Sequence, residues 1–332
     1  MTTPGWGPIL DLMSAHSRPE KTMPTPSRLS RVVRASSMSA CVLLGAAAAV
    51  AAPAPGPAQA RTPKATDRTM FVSVLDSNGA PVTGLTAADF VVREDGAVRE
   101  VVRAEKATAP ITIAILVDTS QAATPYVADI RRGLAEFVRR EAPRNWVSIT
   151  AFGERPTPFT PYTHDVAALE KGVDRIFPIS GSGSYLLQAV GDTCRGLDKR
   201  DYRRALILAI TAGGPEFSER DYHDFLPMLR KAGATFDALV FNGRPPDLDD
   251  FGQRNREMFL DAATRETGGD RILLLSSMAI NDTLTQLADQ LANQYEVTYA
   301  RPESLIPPEK IEVSVRRPGL TVRGTPAPSP SR

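Results

Sequence analysis

The 332-residue chain is 42% hydrophobic and 23% charged, with 39 basic against 38 acidic residues and a formal net charge of +1. This composition excludes a fibrous or wholly disordered protein, and the length allows more than one folding unit. A net charge this close to zero, with no aromatic-interleaved basic stripe, also argues against binding nucleic acid through a broad basic surface.

The first 60 residues have the pattern of an export signal. An apolar, alanine-rich run at residues 42–50 is followed by Ala58-Gln59-Ala60, a small-residue cleavage pattern, and we expect cleavage after Ala60. Three arginines precede the run: Arg28, Arg31 and Arg34. The run is shorter than the ~18 residues expected of a spanning helix, which favours a cleaved signal over a retained anchor. We therefore expect an exported protein, periplasmic or extracellular, with no stable membrane insertion.

The same segment bears on the start of the chain and on its cysteines. Because the residues before Arg28 are polar and contain proline, Met23 is an alternative to Met1 as the start of translation. Cys41 lies within the signal, so the mature chain keeps Cys194 alone and cannot form an internal disulfide. Cys194 has helical spacing with three apolar residues, Leu187, Val190 and Leu197. This spacing predicts a buried thiol.

After a polar linker at residues 61–69, residues 70–108 are predicted to form a small β unit. Short strand patterns occupy residues 70–75, 90–94 and 98–103. Asp95-Gly96 separates the last two, and this pair predicts a hairpin because both turn positions require a positive φ.

Residues 109–294 alternate between strand and helix patterns. Five strands are predicted, at residues 111–117, 147–152, 205–211, 235–241 and 272–275, with apolar helical stripes between them. This alternation predicts an α/β domain with a doubly wound, mostly parallel sheet. The run at residues 111–117 is apolar except for Thr112 and rich in β-branched residues, which is typical of a strand buried on both faces, and it stops at Asp118. Ligand sites in open α/β sheets lie at this carboxyl end of the strands.

The chain returns to strand patterns at residues 295–324. Residues 295–299 and the alternating segment 310–316 are the predicted strands. Because isolated hairpins are marginally stable in water, we expect these strands to pack on the amino-terminal ones. The α/β domain would then be inserted in a small β unit formed by both ends of the mature chain. Residues 325–332, rich in proline and serine, are predicted to be a disordered tail.

This arrangement resembles the von Willebrand factor type A (VWFA) family, and specifically the secreted bacterial VWFA-related proteins. The most specific features are the β segment at residues 74–90 and Glu94-Asp95-Gly96, which precede the α/β domain. The resemblance implies a Rossmann-like fold and a binding or adhesion module. It also implies a metal-ion-dependent adhesion site built from Asp-x-Ser-x-Ser, a Thr on a second loop and an Asp on a third.

The match to that metal motif is partial. Asp118 and Ser120 occupy its first two positions and Ser184 stands where the family has Thr, so the resemblance implies a remnant site of these three residues. The chain departs from the motif at Ala122 and Ala212. Mg²⁺ depends on carboxylate charge to offset its dehydration, so we expect no cofactor, or Mg²⁺ or another divalent cation bound weakly.

Two alternatives bear on this remnant site. Glu216 and Asp221 follow Ala212 closely enough to supply a displaced carboxylate, although Asp and Glu near a helix start more often act as caps. Asp118, Ser120 and Ser184 can instead serve as loop caps that bond to backbone groups.

Enzyme interpretations lack a complete catalytic set in the sequence. A haloacid-dehalogenase-like phosphatase needs a second Asp two positions after Asp118, where the chain has Ser120. The loop at residues 181–185 lacks the nucleophile-elbow pattern of a serine hydrolase, and His164 and His223 have the pattern of solvated helix residues. No P-loop or dinucleotide-binding motif is present in the sequence. We therefore expect a protein that is not an enzyme.

The sequence favours a protein-binding or adhesion module whose metal dependence is weak or lost. The predicted contact residues lie where the parallel strands end: Asp118, Thr119, Ser120, Gln121, Ser184 and Tyr185. The partner is an unidentified protein. The alternative is a structural or assembly component of the cell envelope in which this site is inert and the β unit or the proline-rich tail makes the contacts; a hydrolase ranks below both.

Overall fold

Four strands of the β unit open the part of the chain that the structure describes. The computed structural model describes residues 65–241, 247–303 and 305–326. The four strands are β1 (Ala65–Leu75), β2 (Phe90–Glu94), β3 (Ala97–Arg99) and β4 (Val101–Lys106). Asp95 and Gly96 both have positive φ, 48° and 81°, and form the two-residue turn that the hairpin signal predicts. The export-signal region, residues 1–60, lies outside the described residues.

Two predictions for this region need correction. The predicted linker is wrong from residue 65 onward, because β1 begins there and its residues pair with a strand near the other end of the chain. The predicted strand at residues 98–103 is interrupted at Glu100, so that β3 and β4 belong to different sheets. In both places partners distant in the sequence determine the pairing, and local composition does not contain that information.

The α/β domain contains a six-stranded sheet. Its strands are β5 (Ile111–Val117), β6 (Trp146–Ala151), β7 (Thr157–Thr163), β8 (Arg204–Thr211), β9 (Ala234–Phe241) and β10 (Arg271–Leu274). In space the order is β10-β9-β8-β5-β6-β7. All neighbours are parallel except β7, which pairs antiparallel with β6. The sequence pattern does not predict β7, which carries two prolines and lies at the sheet edge, where a proline removes no central ladder bond.

Six helices cover the two faces of this sheet. They are α1 (Val127–Glu141), α2 (Val166–Asp174), α3 (Leu186–Leu197), α4 (Leu226–Ala232), α5 (Phe251–Thr267) and α6 (Ala279–Ala292). The odd-numbered residues of β5 pack with α1, α2 and α6, whereas Ala114 and Leu116 pack with α3, α4 and α5. Every side chain of β5 is consequently buried. This arrangement confirms the predicted doubly wound α/β fold class.

Three carboxyl-terminal strands complete the β unit: β11 (Tyr295–Pro302), β12 (Ile311–Val315) and β13 (Thr321–Pro326). They form a four-stranded sheet of order β13-β1-β11-β4 and a three-stranded sheet of order β12-β2-β3. Both ends of the described chain therefore build the unit into which the α/β domain is inserted. Buried Phe90, Val92 and Val297 lie in the core between the sheets, and each such side chain contributes about 1.5–3 kcal/mol.

The predicted disordered tail is wrong at its first two residues. Thr325 and Pro326 belong to β13, and the Thr325 side chain is buried, donating a hydrogen bond to the Thr267 carbonyl oxygen at 2.5 Å. Residues 327–332 lie outside the described residues. Within the described part, no helix combines the length and apolar character needed to cross a membrane.

The parallel strands end at one edge of the six-stranded sheet, which we call the sheet top. It consists of the loops that follow β5, β6, β8 and β9, together with the loop that enters α3. Doubly wound sheets bind ligands at this edge.

Candidate functional site

Asp118 follows β5 and joins two loops of the sheet top. Its Oδ1 accepts a hydrogen bond from the backbone N–H of Ser120 at 2.8 Å. Its Oδ2 accepts one from the N–H of Ala212 at 2.9 Å and lies 3.4 Å from the Thr211 hydroxyl. The residue has no exposed surface. Asp118 thus ties the loop after β5 to the loop after β8, which agrees with the loop-capping alternative.

Ser184 bonds to Glu216, which lies on the loop after β8. The Ser184 hydroxyl donates to Glu216 Oε2 at 2.8 Å, and the two residues form an isolated parallel β-bridge. Backbone bonds from Ser184 N–H to Pro215 O, 2.7 Å, and from Phe217 N–H to Ser184 O, 2.8 Å, flank that contact. The loop entering α3 and the loop after β8 are therefore joined as closely as two strands.

Glu216 is a buried carboxyl with three donors around it. Besides the Ser184 hydroxyl, Oε2 accepts from the N–H of Leu186, the first residue of α3, at 3.2 Å, and Oε1 accepts from the N–H of Ser218 at 3.1 Å. Glu216 is 4% exposed. Its burial raises the pKa of the carboxyl, against the hydrogen bonds from Ser218 and Ser184, which lower it. The carboxyl caps the start of α3, a helix that is distant in sequence.

Arg256 of α5 fixes the same loop from the other side. It is 1% exposed, and its guanidinium donates to the Gly214 carbonyl oxygen and pairs with Glu257 at 3.3 Å. Arg256 was not predicted from the sequence, and Glu216 was predicted only as a cap near a helix start or as a displaced carboxylate of the metal site. The only sequence signal for Glu216 was its position soon after the end of β8.

The loop after β8 packs directly on the loop after β5 at Gly214. A Cβ added at Gly214 would lie 2.8 Å from the Ala122 Cβ and 3.4 Å from the Ser120 hydroxyl oxygen, so the approach requires glycine. The Ser120 hydroxyl is fully buried and has no hydrogen-bond partner among the described residues.

Of the six predicted contact residues, only Gln121 and Tyr185 reach the surface. Asp118, Ser120 and Ser184 are 0% exposed and Thr119 is 1% exposed. Gln121 is exposed, and its side-chain oxygen accepts from the Gly181 N–H at 2.8 Å. Tyr185 is half-buried, with its ring 6.0 Å from the ring of Phe217. The structure brings all six together at the sheet top, but four of them have no surface to offer a partner.

The residues at the remnant metal site do not fit a hydrated divalent ion. Mg²⁺ requires near-octahedral oxygen ligands and keeps several waters. Both oxygens of Asp118 already accept backbone N–H bonds, and the Ser184 hydroxyl donates to Glu216. Among the described residues, no three His, Cys, Asp or Glu side chains are grouped to hold a metal ion. The buried Ser120 hydroxyl alone remains without a protein partner.

The described histidines and the cysteine lie away from this cluster. His164 Nδ1 is 3.0 Å from the Ala142 carbonyl oxygen, and His223, which is exposed, is bonded to Asp221. Cys194 is 2% exposed, and burial raises the pKa of its thiol to about 12. Neither described imidazole is hydrogen-bonded to a serine, so these groups form no Ser–His pair in the described part.

Exposed apolar side chains surround the buried cluster on the loops of the sheet top. We call Ile179, Phe217, Leu248 and Phe251 the apolar rim; they are 37%, 52%, 55% and 51% exposed. Ile179 and Phe217 come from the loops that hold the cluster, Phe251 is the first residue of α5, and Leu248 lies three residues before it. This rim was not predicted from the sequence.

No family model matches the chain, and no curated protein matches it. Solved structures that are similar to it include the conserved hypothetical protein BatB from Bacteroides thetaiotaomicron, at 16% identity over 54% of this chain and 98% of that one, with a TM-score of 0.41. The vWF domain of the type V pili tip protein Mfa5 from Porphyromonas gingivalis is 12% identical over 55% of this chain and 95% of that one, with a TM-score of 0.41.

A von Willebrand factor type A structure from Catenulispora acidiphila is 10% identical over 79% of this chain and 73% of that one, with a TM-score of 0.43. Two of these three structures are named as von Willebrand factor type A domains, the family that the sequence resembles. The likeness is one of fold, and we take no function from it.

Proposed function

We propose that the chain is an exported, non-enzymatic, VWFA-like protein-binding module that acts through its sheet top. The observation that carries this proposal is the apolar rim: exposed aromatic and aliphatic side chains stand at the edge where doubly wound sheets bind ligands. Grouped apolar residues exposed on a folded surface mark interaction sites more often than scattered ones do.

Backbone contacts connect the segments that carry the rim to the residues of the buried cluster. The N–H of Ile179 donates to the Thr119 carbonyl oxygen at 2.8 Å, beside Asp118. Phe217 follows Glu216 and lies against Gly183 and Tyr185. Gly252, next to Phe251, approaches the Glu216 carbonyl oxygen so closely that a Cβ would clash with it. The rim therefore rests on the backbone that Asp118 and Glu216 hold in place.

The buried cluster acts in this proposal as a scaffold for the contact surface. Asp118, Thr119, Ser120 and Ser184 position the loops, and Gln121, Tyr185 and the rim touch the partner. The four rim side chains are uncharged, so they favour a partner segment that buries apolar surface. Metal dependence is weak or lost in this proposal, because the Asp118 carboxylate and the Ser184 hydroxyl already bond to protein groups.

The proposal of export rests on residues 28–60, whose pattern is that of a cleaved signal. An amino-terminal peptide from intact producing cells tests it. A mature protein that begins at Arg61 supports export with cleavage, whereas a peptide that runs through Ala60 contradicts it.

The second candidate function is a structural or assembly component that makes its contacts through the β unit. It is favoured by Val98 of β3 and Val102 of β4, which are 63% and 53% exposed on strands at the edges of their sheets. Edge strands have unpaired backbone groups that another chain can pair with. In this case the sheet top is inert.

Site-specific photo-crosslinking distinguishes the two functions. A photoreactive phenylalanine analogue replaces Phe217 or Phe251 in the rim, Val98 in the β unit, or Met258, an exposed residue of α5 that serves as the matched control. Each variant is produced in its native cells and irradiated. We expect an adduct of one repeated mass from both rim positions, and none of that mass from Met258.

The adduct should disappear when the rim position not carrying the probe is changed to serine. An adduct at Val98 alone would contradict binding at the sheet top and support the assembly role. Equal adducts at all four positions would show non-specific contact and contradict both functions. Turnover of generic phosphate or ester substrates that is lost with Ser120→Ala would instead support the hydrolase.

A further inference from the structure

We infer that direct protein bonds to the Glu216 carboxyl, together with those to Asp118, do the loop-joining work of a bound cation, so that the loops of the sheet top are joined without metal. The family resemblance implies a metal held by the loops after β5 and β8 and the loop entering α3. In this chain direct protein bonds join the same three loops. The inference concerns how the site is assembled, and it holds whether or not the rim binds a partner.

The carboxylate of the loop after β8 stands at a different position from the second Asp of the family. Position 212, where the family has its second Asp, is Ala212, whose backbone N–H donates to Asp118 at 2.9 Å. The carboxylate of this loop lies four residues later, at Glu216. It bonds to Ser184, the residue at the family's Thr position, at 2.8 Å. The hydroxyl that would ligate an ion is thus a donor to an internal carboxyl.

The loops after β5 and β8 leave little space between them at Gly214. The loop after β8 packs on Ser120 and Ala122 so closely that a single Cβ at Gly214 would contact both. A hydrated ion needs more room than that between the same loops. Arg256, a buried residue of α5, fixes the loop in this position by donating to the Gly214 carbonyl oxygen, two residues before Glu216.

Protein donors occupy both carboxyl oxygens of Glu216. It accepts from one hydroxyl and two backbone N–H groups, and one of those N–H groups belongs to the first residue of α3. A carboxyl held in this way joins the start of α3 to the loop that carries Phe217. We therefore assign Glu216 as a positioning residue of the sheet top.

Thermal unfolding of the purified chain tests the inference in EDTA and in about 5 mM Mg²⁺, Mn²⁺ or Ca²⁺. We expect the midpoint to change by less than about 1 °C, since a bound ion would raise it by mass action. Glu216→Ala should lower the midpoint by about 5 to 10 °C in every buffer, because three donors lose their acceptor. The matched control is Glu219→Ala, three residues along the same loop and exposed, which should leave the midpoint unchanged within about 1 °C.

A double-mutant cycle tests the specific bond. Ser184→Ala and Glu216→Ala should be strongly non-additive, since each removes the same contact. Should Glu216→Ala fail to fold, Glu216→Gln, which keeps one acceptor oxygen, replaces it in the cycle.

A midpoint that rises with Mg²⁺ or Mn²⁺ and loses that rise in Asp118→Asn would overturn the inference. Additivity between positions 184 and 216 would overturn it as well. So would a Glu216→Ala effect no larger than that of Glu219→Ala.

Discussion

Two buried carboxyl groups, Glu94 in the β unit and Glu216 at the sheet top, connect distant parts of this chain by different means. Glu94 is 2% exposed and accepts from Arg99 at 2.9 Å, from Arg301 at 3.0 Å and from the Tyr299 hydroxyl at 3.0 Å. Glu216 is 4% exposed and accepts from a hydroxyl and two backbone N–H groups. The first has two charged partners, whereas the second bonds only to neutral donors.

The partners of each buried carboxyl determine which group there has a shifted pKa. Around Glu94, desolvation together with the neighbouring carboxylate raises the pKa of the Tyr299 hydroxyl. At Glu216, burial raises the pKa of the carboxyl itself. The ion pairs connect strands from both ends of the chain and have no part in the sheet top. The neutral bonds at Glu216 hold loops at the edge where ligands bind, next to exposed aromatic residues.

The largest expected effect is that of Glu94→Ala. It would leave Arg301, whose side chain is 7% exposed, buried without its charge partner. We expect a loss of about 3–5 kcal/mol in the free energy of unfolding, measured in urea. Glu105→Ala is the control, because the 4.0 Å pair of Glu105 with Arg103 is exposed, and it should cost under about 1 kcal/mol. Equal losses for both variants would show that the buried ion pairs do not hold the β unit together.

Asp118→Ala should have the next largest effect. It removes the acceptor of the Ser120 and Ala212 N–H groups, both buried. We expect a loss of about 2–4 kcal/mol and faster amide exchange at Ala212. Asp118→Asn, which keeps one carbonyl oxygen, should lose roughly half as much. If Asp118→Ala unfolds at the same urea concentration as the unchanged chain, the capping role of Asp118 is wrong.

A third buried carboxyl, that of Asp237, makes the stability of the fold depend on pH. Asp237 of β9 is 7% exposed and accepts from the Asp270 N–H at 2.7 Å, while Asp270 pairs with Arg323 at 2.8 Å. Burial is the largest cause that raises its pKa, to about 6, from an ordinary value of 3.8. Between these two values the unfolded chain loses its proton while the folded chain keeps it, so stability falls as the pH rises.

Asp237→Asn should remove that fall. The variant should match the unchanged chain below about pH 4 and exceed it by up to about 3 kcal/mol above about pH 6, at roughly 1.4 kcal/mol for each unit of pKa. Urea unfolding at a series of pH values measures this difference. Asp249→Asn, at an exposed position, should follow the unchanged chain at every pH. A constant difference across the pH range would contradict the assignment to Asp237.

The smallest effect on stability is expected for a substitution of Phe217, the residue after Glu216. Phe217→Ser changes a side chain that is 52% exposed and has an edge contact with Tyr185, so unfolding should change by under about 1 kcal/mol. Crosslinking from position 251 should nevertheless be lost. Met258→Ser, at an equally exposed position on α5, should change neither. A Phe217→Ser loss as large as that of Glu216→Ala would show that the rim serves folding and not binding.

The sequence predicted elements well where the pattern is local. The strand at residues 111–117 has the predicted limits, because a run in which six of seven residues are apolar is buried on both faces, and the Asp95-Gly96 turn forms because of its own φ preferences. Predictions failed where partners are remote. The polar residues before Met70 pair with β11, and Thr325 of β13 pairs with Phe71 of β1, although both segments have the composition of a linker or tail.

The candidate site likewise has features that the sequence predicts and features that depend on tertiary packing. The position of Asp118 at the end of a buried strand follows from the hydrophobic pattern alone, whereas the family resemblance, and not the pattern, pointed to Ser184 and Ala212 at the same sheet edge. That Glu216 bonds to Ser184, that Arg256 holds Gly214, and that four of the six predicted contact residues are buried follows only from the tertiary structure. Hydrophobic periodicity indicates where the buried central strands form and end. Which polar groups meet between the loops depends on packing between residues far apart in the sequence, 32 positions for Ser184 and Glu216 and 94 for Asp118 and Ala212, and a one-dimensional pattern does not encode those contacts.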